Sequence, residues 1–291
     1  MIDETAEEIR EMQTHSSSVV AVKAAEALTA VTDREFATVE EFVRALERNS
    51  TALRRANPSH ASLQTTQRRI VEAVRDADAS TVEAAKELTL DAIEATVDRV
   101  ETAKERAAER LAAELEDGAT VLTHDYSTTV LQGLEAAAAD GTALSVYVTE
   151  ARPRHLGRKT ARRLGQVDGV SPTLIVDSAS GYFMGECDAV VLGMDCIVAG
   201  TLYNRVGTYP LLATAADAAV PVYVAGSSAK VVESGFRFEN DFRSGSEVIR
   251  EPPEGFAVEN PSYDATPIRL VDYLITDEGV QTLGDGDRVE A

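Results

Sequence analysis

The segment AGTLYNRVGTYPLL, residues 199–212, joins a strand-like run to a helix-like run through Gly207 and Thr208. The free backbone N–H groups at the start of a helix, together with its positive dipole end, favour an anion. Arg205 in this segment and Arg152, which follows an earlier apolar run, could add charge-assisted contacts to phosphate oxygens. These residue types at this junction predict a phosphate site.

Other polar residues also follow the ends of apolar runs, where a parallel sheet gathers its ligand-binding groups. They are His124, Asp125, Ser127, Asp177, Asp195, Thr201, Asn204 and Lys230. The arginines also have a structural interpretation, in which Arg152 and Arg205 form ion pairs with Glu150 and Asp195. The sequence contains neither GxGxxG nor a Walker phosphate loop, which argues against either of those nucleotide-binding motifs.

The elements that position these residues change type once along the chain. Residues 1–117 have helical periodicity, and the stretch from Ser80 to Asp117 contains no glycine or proline. From Gly118 onward, short continuous apolar runs alternate with helical segments, which indicates a parallel sheet covered on both faces. We therefore expect an α/β protein with a helical domain over 1–117 and a Rossmann-like, doubly wound ligand-binding and dimerisation domain over 118–291.

Composition narrows the classes of function and partner. The chain of 291 residues has 49 acidic and 28 basic residues, a formal net charge of −21. Such a charge repels nucleic acid and anionic membranes and indicates a surface suited to a high-salt cytoplasm. The four histidines and two cysteines lack metal-ligand spacing, so we expect no metal. There is no membrane-length apolar run and no signal-peptide pattern, which predicts a cytoplasmic protein.

Several motifs, in order, resemble the alpha, beta and delta regulatory subunits of translation initiation factor 2B. The matching motifs are LTH, TEARP, GMD, NRVGT and NPSYDATPIRLVDYLITDEGV. The superfamily also contains methylthioribose-1-phosphate isomerase and ribose-1,5-bisphosphate isomerase. The resemblance implies a helical domain, a Rossmann-like domain that dimerises, and a phosphate-bearing ligand in the cleft between them. We expect no cofactor.

The chain departs from the isomerases of this superfamily at residues that the resemblance marks as functional. Asp125 stands where they have a catalytic Cys, and Thr201 stands where they have a catalytic Asp. Ser16–Ser18 replace an Arg-Gly-Ala word that helps to hold phosphate. Asn57 replaces the Arg of an Arg-Pro-Thr word, although Arg54 and Arg55 lie nearby and could compensate. The absence of a carboxylate at Thr201 argues most strongly against isomerase activity, because a threonine hydroxyl does not titrate near neutrality and cannot readily replace an acid or base.

These departures lead to an expected function and an alternative. We expect a non-catalytic archaeal homologue of a regulatory subunit, a homodimer or higher oligomer that binds a nucleotide or sugar phosphate. Its candidate protein partner is the alpha subunit of initiation factor 2. The alternative is a sugar-phosphate aldose–ketose isomerase of the ribose-1,5-bisphosphate or methylthioribose-1-phosphate type. In that case Asp125 is the base, and Asp195 or Asp177 is its partner.

Overall fold

The computed structural model describes residues 2–11, 16–232, 238–251 and 254–283. The chain divides into two compact units, the first ending at Thr102 and the second beginning at Ala103. The predicted domain boundary at residue 117 lies between the last helix of the N-terminal part and the first strand. The N-terminal helices are α1 (Ile2–Arg10), α2 (Ser17–Ala27), α3 (Thr29–Thr32), α4 (Val39–Ala56), α5 (Ala61–Asp76) and α6 (Val82–Ala113).

Helix α4 shows how the sequence specifies this unit. The Thr38 side chain caps the helix by accepting a hydrogen bond from the Glu41 N–H at 3.2 Å, and acids occupy the first turn. Its buried positions recur at helical spacing and include Phe42, Leu46 and Leu53. These side chains belong to a core that α1, α2 and α5 also line.

The second unit is built on a seven-stranded sheet in the order β11-β10-β7-β4-β1-β2-β3. The strands are β1 (Thr120–Thr123), β2 (Leu144–Thr149), β3 (Val170–Ile175), β4 (Ala189–Gly193), β7 (Val222–Ala225), β10 (Tyr273–Ile275) and β11 (Val280–Thr282). All neighbouring pairs are parallel except β10 and β11. The expected α/β class, with a helical N-terminal part and a largely parallel sheet, is confirmed. The flanking helices are α7 (Thr128–Ala139), α8 (Gly157–Leu164), α9 (Ser180–Phe183) and α10 (Thr208–Asp217).

A four-stranded sheet, in the order β8-β5-β6-β9, was not expected from the sequence. Its strands are β5 (Cys196–Val198), β6 (Thr201–Arg205), β8 (Val231–Val232) and β9 (Tyr263–Pro267). Strand β6 runs antiparallel to β9, with Arg205 opposite Tyr263 and Thr201 opposite Pro267. This sheet carries Arg205 at one end of β6 and Thr201 at the other.

The described helices include none that is both long and apolar enough to cross a membrane. Within the same described ranges, no cluster of three or more His, Cys, Asp or Glu residues is arranged to hold a metal ion.

Candidate functional site

Asp125 follows β1 in an unusual backbone conformation. Its φ is +65°, a left-handed value that is uncommon for residues other than glycine and is better tolerated by Asp than by most. The backbone carbonyl of Asp125 accepts a hydrogen bond from the Thr160 hydroxyl at 2.6 Å, which ties this turn to α8. The residue is 9% exposed, so its carboxyl group lies in a fixed and largely dry position.

Arg205 joins Asp125 to a second carboxyl group. Its Nε lies 3.5 Å from Oδ2 of Asp125 and 4.0 Å from Oδ2 of Asp195, and all three side chains are only 12% exposed. Asp125 follows β1 and Asp195 follows β4, and these two strands are neighbours in the sheet. The strand ends therefore bring two acids together with a cation between them, as the alternative interpretation of the sequence required.

The surroundings of Arg205 keep it charged. Burial alone would lower the pKa of Arg205, but the phenol of Tyr263 and the carboxyl groups of Asp195, Asp125 and Asp241 outweigh burial and raise it. The guanidinium carbon also lies 4.8 Å from the centre of the Tyr263 ring, a cation–π distance. Arg205 is thus a permanent, positioned cation.

A pocket with about 350 Å³ of empty space, part of it open to solvent, adjoins this trio. Arg152, Arg154, Arg205 and Arg243 line it, against two acids, Asp125 and Glu247. Burial, followed by repulsion from Arg243 and Arg205, lowers the pKa of Arg154. Like charges this close in a chain of net charge −21 favour an anionic ligand that would relieve their repulsion.

The TEARP segment forms one wall of the pocket. Both oxygens of the Asp177 carboxylate accept backbone N–H groups at 2.8 Å, from Ala151 and Arg152, so Asp177 fixes this loop rather than joining the carboxyl pair. A side chain at Gly157 would come within 1.7 Å of the Thr149 carbonyl oxygen, so the loop requires glycine there.

The expected pairing of Arg152 with Glu150 is not the one that forms. Glu150 accepts a hydrogen bond from Arg158 at 2.7 Å and lies 3.3 Å from His155. The Arg158 hydrogen bond is the main reason that the pKa of Glu150 falls below its ordinary value. Arg152 donates instead to the Val248 carbonyl at 3.3 Å.

The start of α10, the phosphate site expected from the sequence, already carries a carboxylate. Oδ2 of Asp264 accepts the N–H groups of Gly207 and Tyr209 at 2.8 and 3.0 Å. The Thr208 hydroxyl donates to the Arg205 carbonyl and accepts from the Asn204 amide, which are structural contacts. Two of the free N–H groups on which that expectation relied are therefore occupied by Asp264, which leaves the arginine-lined pocket as the candidate anion site.

His124 and Ser127 have packing roles. The His124 ring bonds to the Thr149 hydroxyl at 2.6 Å and to the Val206 carbonyl at 2.9 Å. A Cβ at Gly207, where φ is +105°, would come within 2.8 Å of this ring. Ser127 caps α7 by accepting a hydrogen bond from the Val130 N–H. Both residues hold the turn that carries Asp125.

The remaining predicted site residues lie outside the pocket lining. Lys230 is buried and donates to the Met194 carbonyl at 2.8 Å; burial lowers its pKa, and nearby Asp195 opposes that effect. Thr201 is four residues from Arg205 along β6, roughly 13 Å away at strand spacing. Arg54 and Arg55 belong to α4 in the first unit, where Arg54 donates to the Thr51 hydroxyl.

Two residues of the site were missed from the sequence. Arg243, in the irregular stretch before β9, and Tyr263, at the start of β9, were given no role, although Tyr263 lies in the NPSYDATP motif. Long-range contacts alone make them functional candidates: Arg243 lines the pocket, and Tyr263 pairs with Arg205 across β6 and β9.

Comparisons with known proteins favour an enzyme. The chain is 33% identical over 284 residues to the ribose 1,5-bisphosphate isomerase of Haloferax volcanii, covering 94% of this chain and 87% of that protein. It is 32% identical to the methylthioribose-1-phosphate isomerase of Pelotomaculum thermopropionicum, covering 95% and 82%. The crystal structure of translation initiation factor eIF-2B, subunit delta, from A. fulgidus superposes with a TM-score of 0.76 at 28% identity, covering 97% and 87%.

The expectation of a non-catalytic regulatory subunit is wrong. Further relatives at 30–34% identity over nearly the whole chain are also named ribose 1,5-bisphosphate isomerase. The expectation failed because it rested on Thr201, which lies far from Arg205, while Asp195 provides a second carboxyl group beside Arg205. The initiation factor 2 subunit family matches residues 13–283. The chain therefore belongs to the initiation factor 2 subunit family, and its sequence is similar to those of sugar-phosphate isomerases.

Proposed function

We propose that the protein is an aldose–ketose isomerase whose substrate is ribose 1,5-bisphosphate. The observation that carries this proposal is the pair of carboxyl groups, Asp125 and Asp195, that both lie within 4.0 Å of the Arg205 Nε. Asp125 and Arg205 also line the arginine-rich pocket. The names of its relatives agree with it.

The reaction needs two proton-handling groups. As the bond between C1 and the ring oxygen opens, the ring oxygen takes a proton and the C2 hydroxyl loses one. The hydrogen on C2 moves to C1, which leaves a ketone at C2. A carboxylate that removes a proton and a carboxyl group that returns one are suited to this exchange. Asp125 and Asp195 have the chemistry and the proximity to share these roles.

The remaining charges hold the substrate. A guanidinium forms bidentate contacts with phosphate oxygens, and such charge-assisted bonds are stronger than neutral ones. Arg154 and Arg243 are the best placed for this task, because each lines the pocket and Arg154 feels the repulsion of its neighbours. Arg205 remains with the carboxyl pair, where it favours negative charge on the reacting atoms.

The test compares the initial rates of wild type, Asp125→Asn and Asp195→Asn with ribose 1,5-bisphosphate. Losing a positioned acid or base should lower kcat by about 10²–10⁴-fold in each variant. Asp188→Asn is the matched control, because Asp188 accepts the Thr120 N–H at the opposite end of β1. Its kcat should match that of wild type.

Two outcomes would refute the proposal. In the first, wild type leaves ribose 1,5-bisphosphate unchanged. In the second, both site variants keep wild-type kcat, which would place the chemistry elsewhere. Methylthioribose 1-phosphate, assayed in parallel, decides substrate class: a higher kcat/KM for it would assign the chain to the other isomerase reaction.

A further inference from the structure

Tyr263 has a buried hydroxyl group that forms no hydrogen bond with any described residue. The residue is 2% exposed, and its phenol oxygen has no hydrogen-bond partner among the described residues. Buried polar groups are nearly always hydrogen-bonded, so an unpaired hydroxyl calls for an explanation. A ligand that supplies the missing partner is one such explanation.

Tyr263 is held through both its backbone and its ring. Its backbone N–H donates to the Asn240 side-chain oxygen at 3.2 Å, and its carbonyl accepts from the Asn240 amide at 2.8 Å. Phe238 packs edge-to-face against the ring at 5.2 Å. Because the ring is held this firmly, its hydroxyl is pre-positioned before any ligand arrives.

The Tyr263 side chain lies beside Arg205, which also contacts Asp125 and Asp195. Tyr263 faces Arg205 across the β6–β9 pair, and the Arg205 guanidinium lies 4.8 Å from its ring centre. Burial raises the pKa of Tyr263; Arg205 opposes that shift, while the acids Asp195, Asp241 and Asp125 add to it. The phenol therefore keeps its proton at neutral pH and remains a hydrogen-bond donor.

We propose that the Tyr263 hydroxyl donates a hydrogen bond to the substrate oxygen that gains negative charge as the sugar isomerises. This inference rests on the proposed isomerase function and names an additional catalytic residue for it. The oxygen concerned is the one on C2, since the Tyr263 ring packs on Arg205, whose Nε lies within 4.0 Å of both carboxyl groups that handle the protons. A donor aimed at a developing oxyanion stabilises the transition state more than the bound substrate.

A purely structural role for Tyr263 predicts something different. If the ring served only as a cation–π platform for Arg205, the phenylalanine ring would replace it and the hydroxyl would be dispensable. Removing an unpaired buried hydroxyl should also leave the ligand-free protein as stable as before, or more stable. A catalytic role for the hydroxyl therefore predicts that Tyr263→Phe lowers kcat while the Tm stays the same or rises.

The experiment compares Tyr263→Phe with Tyr203→Phe in the full-length protein. Tyr203 lies two residues before Arg205 on the same face of β6 and stacks on Phe238 at 4.0 Å, so its variant removes a neighbouring hydroxyl. With ribose 1,5-bisphosphate, Tyr263→Phe should lower kcat by about 10²-fold and leave KM within about twofold. Its Tm without ligand should equal or exceed that of wild type, and Tyr203→Phe should keep wild-type kcat.

The outcomes separate this inference from the proposed function. Wild type that turns over while Tyr263→Phe keeps wild-type kcat, or raises KM alone, overturns the inference and leaves the function intact. A Tm for Tyr263→Phe well below that of wild type also overturns it, because the hydroxyl would then have a partner without ligand. Wild type with no turnover removes the proposed function and this inference together.

Discussion

The four arginines that line the pocket make it positively charged, although the whole chain is strongly negative. Arg243 is the clearest case, since its guanidinium lies 3.0 Å from Glu247 and 3.6 Å from Asp241. These acids hold the side chain in one orientation without covering the pocket that it lines. An arginine positioned in advance loses less conformational entropy when it binds a phosphate group.

Replacing Arg243 with Met should therefore weaken sugar-phosphate binding. The loss of a charge-assisted contact costs about 1.5–3 kcal/mol, roughly a tenfold to hundredfold rise in Kd. Arg163→Met is the matched control, because Arg163 pairs with Glu135 at 2.8 Å on the exposed face of α8. Thermal-shift titration with ribose 1,5-bisphosphate measures both. Equal Kd values for the two variants would place the phosphate group elsewhere.

Sequence reasoning singled out three charged residues that the structure brings together, but not the residues that surround them. Asp125, Asp195 and Arg205 could be identified because each stands where a strand ends. The distance of Thr201 from Arg205 could not be judged, because the position of a residue in a motif does not reveal which end of a strand it occupies. Arg243 and Tyr263 gave no local signal, since long-range pairing across β6 and β9 alone brings Tyr263 to Arg205.

At the scale of elements, the start of α10 is a structural junction. Asp264, on β9, places its carboxylate on the N–H groups of Gly207 and Tyr209 and so joins the small sheet to the helix. A negative charge at a helix N-terminus is favourable for the same reason that a phosphate would be. The protein itself therefore supplies the anion that this helix end favours.

Asp264→Ala should destabilise the protein without improving phosphate binding. Losing such a capping carboxylate costs about 1–2 kcal/mol of the free energy of unfolding, measurable by urea denaturation. Asp264→Asn keeps an acceptor oxygen and should lose less. KM should stay near the wild-type value in both. A tighter Kd for inorganic phosphate in Asp264→Ala would instead show that this helix end is an anion site.

The main sheet was predictable, whereas the small sheet was not. Continuous apolar runs such as AVVLG and LSVYVT read as buried parallel strands, and they form β4 and β2. Strands β5, β6, β8 and β9 are two to five residues long, and β9 pairs with a strand about 60 residues earlier. Short strands with distant partners leave no periodic pattern. The pairing of β6 with β9, which holds Arg205 in place, could therefore not be predicted from the sequence.

At the scale of the whole molecule, charge should govern association. The resemblance to dimeric proteins implies a dimer, while a net charge of −21 per chain makes two copies repel. At molar salt the screening length falls to about 3 Å, and this repulsion largely disappears. We therefore predict a dimer at molar KCl that becomes weaker, and melts at lower temperature, as salt is removed.

Light scattering and thermal melting across one KCl series test both parts of this prediction. A compact monomer at molar salt would contradict the dimer. A Tm that does not change with salt would contradict the view that the acidic surface is an adaptation to high salt.

¹³C NMR of ribose 1,5-bisphosphate labelled at C2, incubated with wild-type protein at high salt, shows directly whether the protein isomerises this sugar. We expect the C2 signal to move from the hydroxyl-bearing region to that of a ketone carbonyl, and we expect Asp125→Asn to slow this change by about 10²–10⁴-fold. A substrate that binds, as shown by a raised Tm, yet keeps its C2 signal unchanged over hours would contradict the claim that this protein is an isomerase.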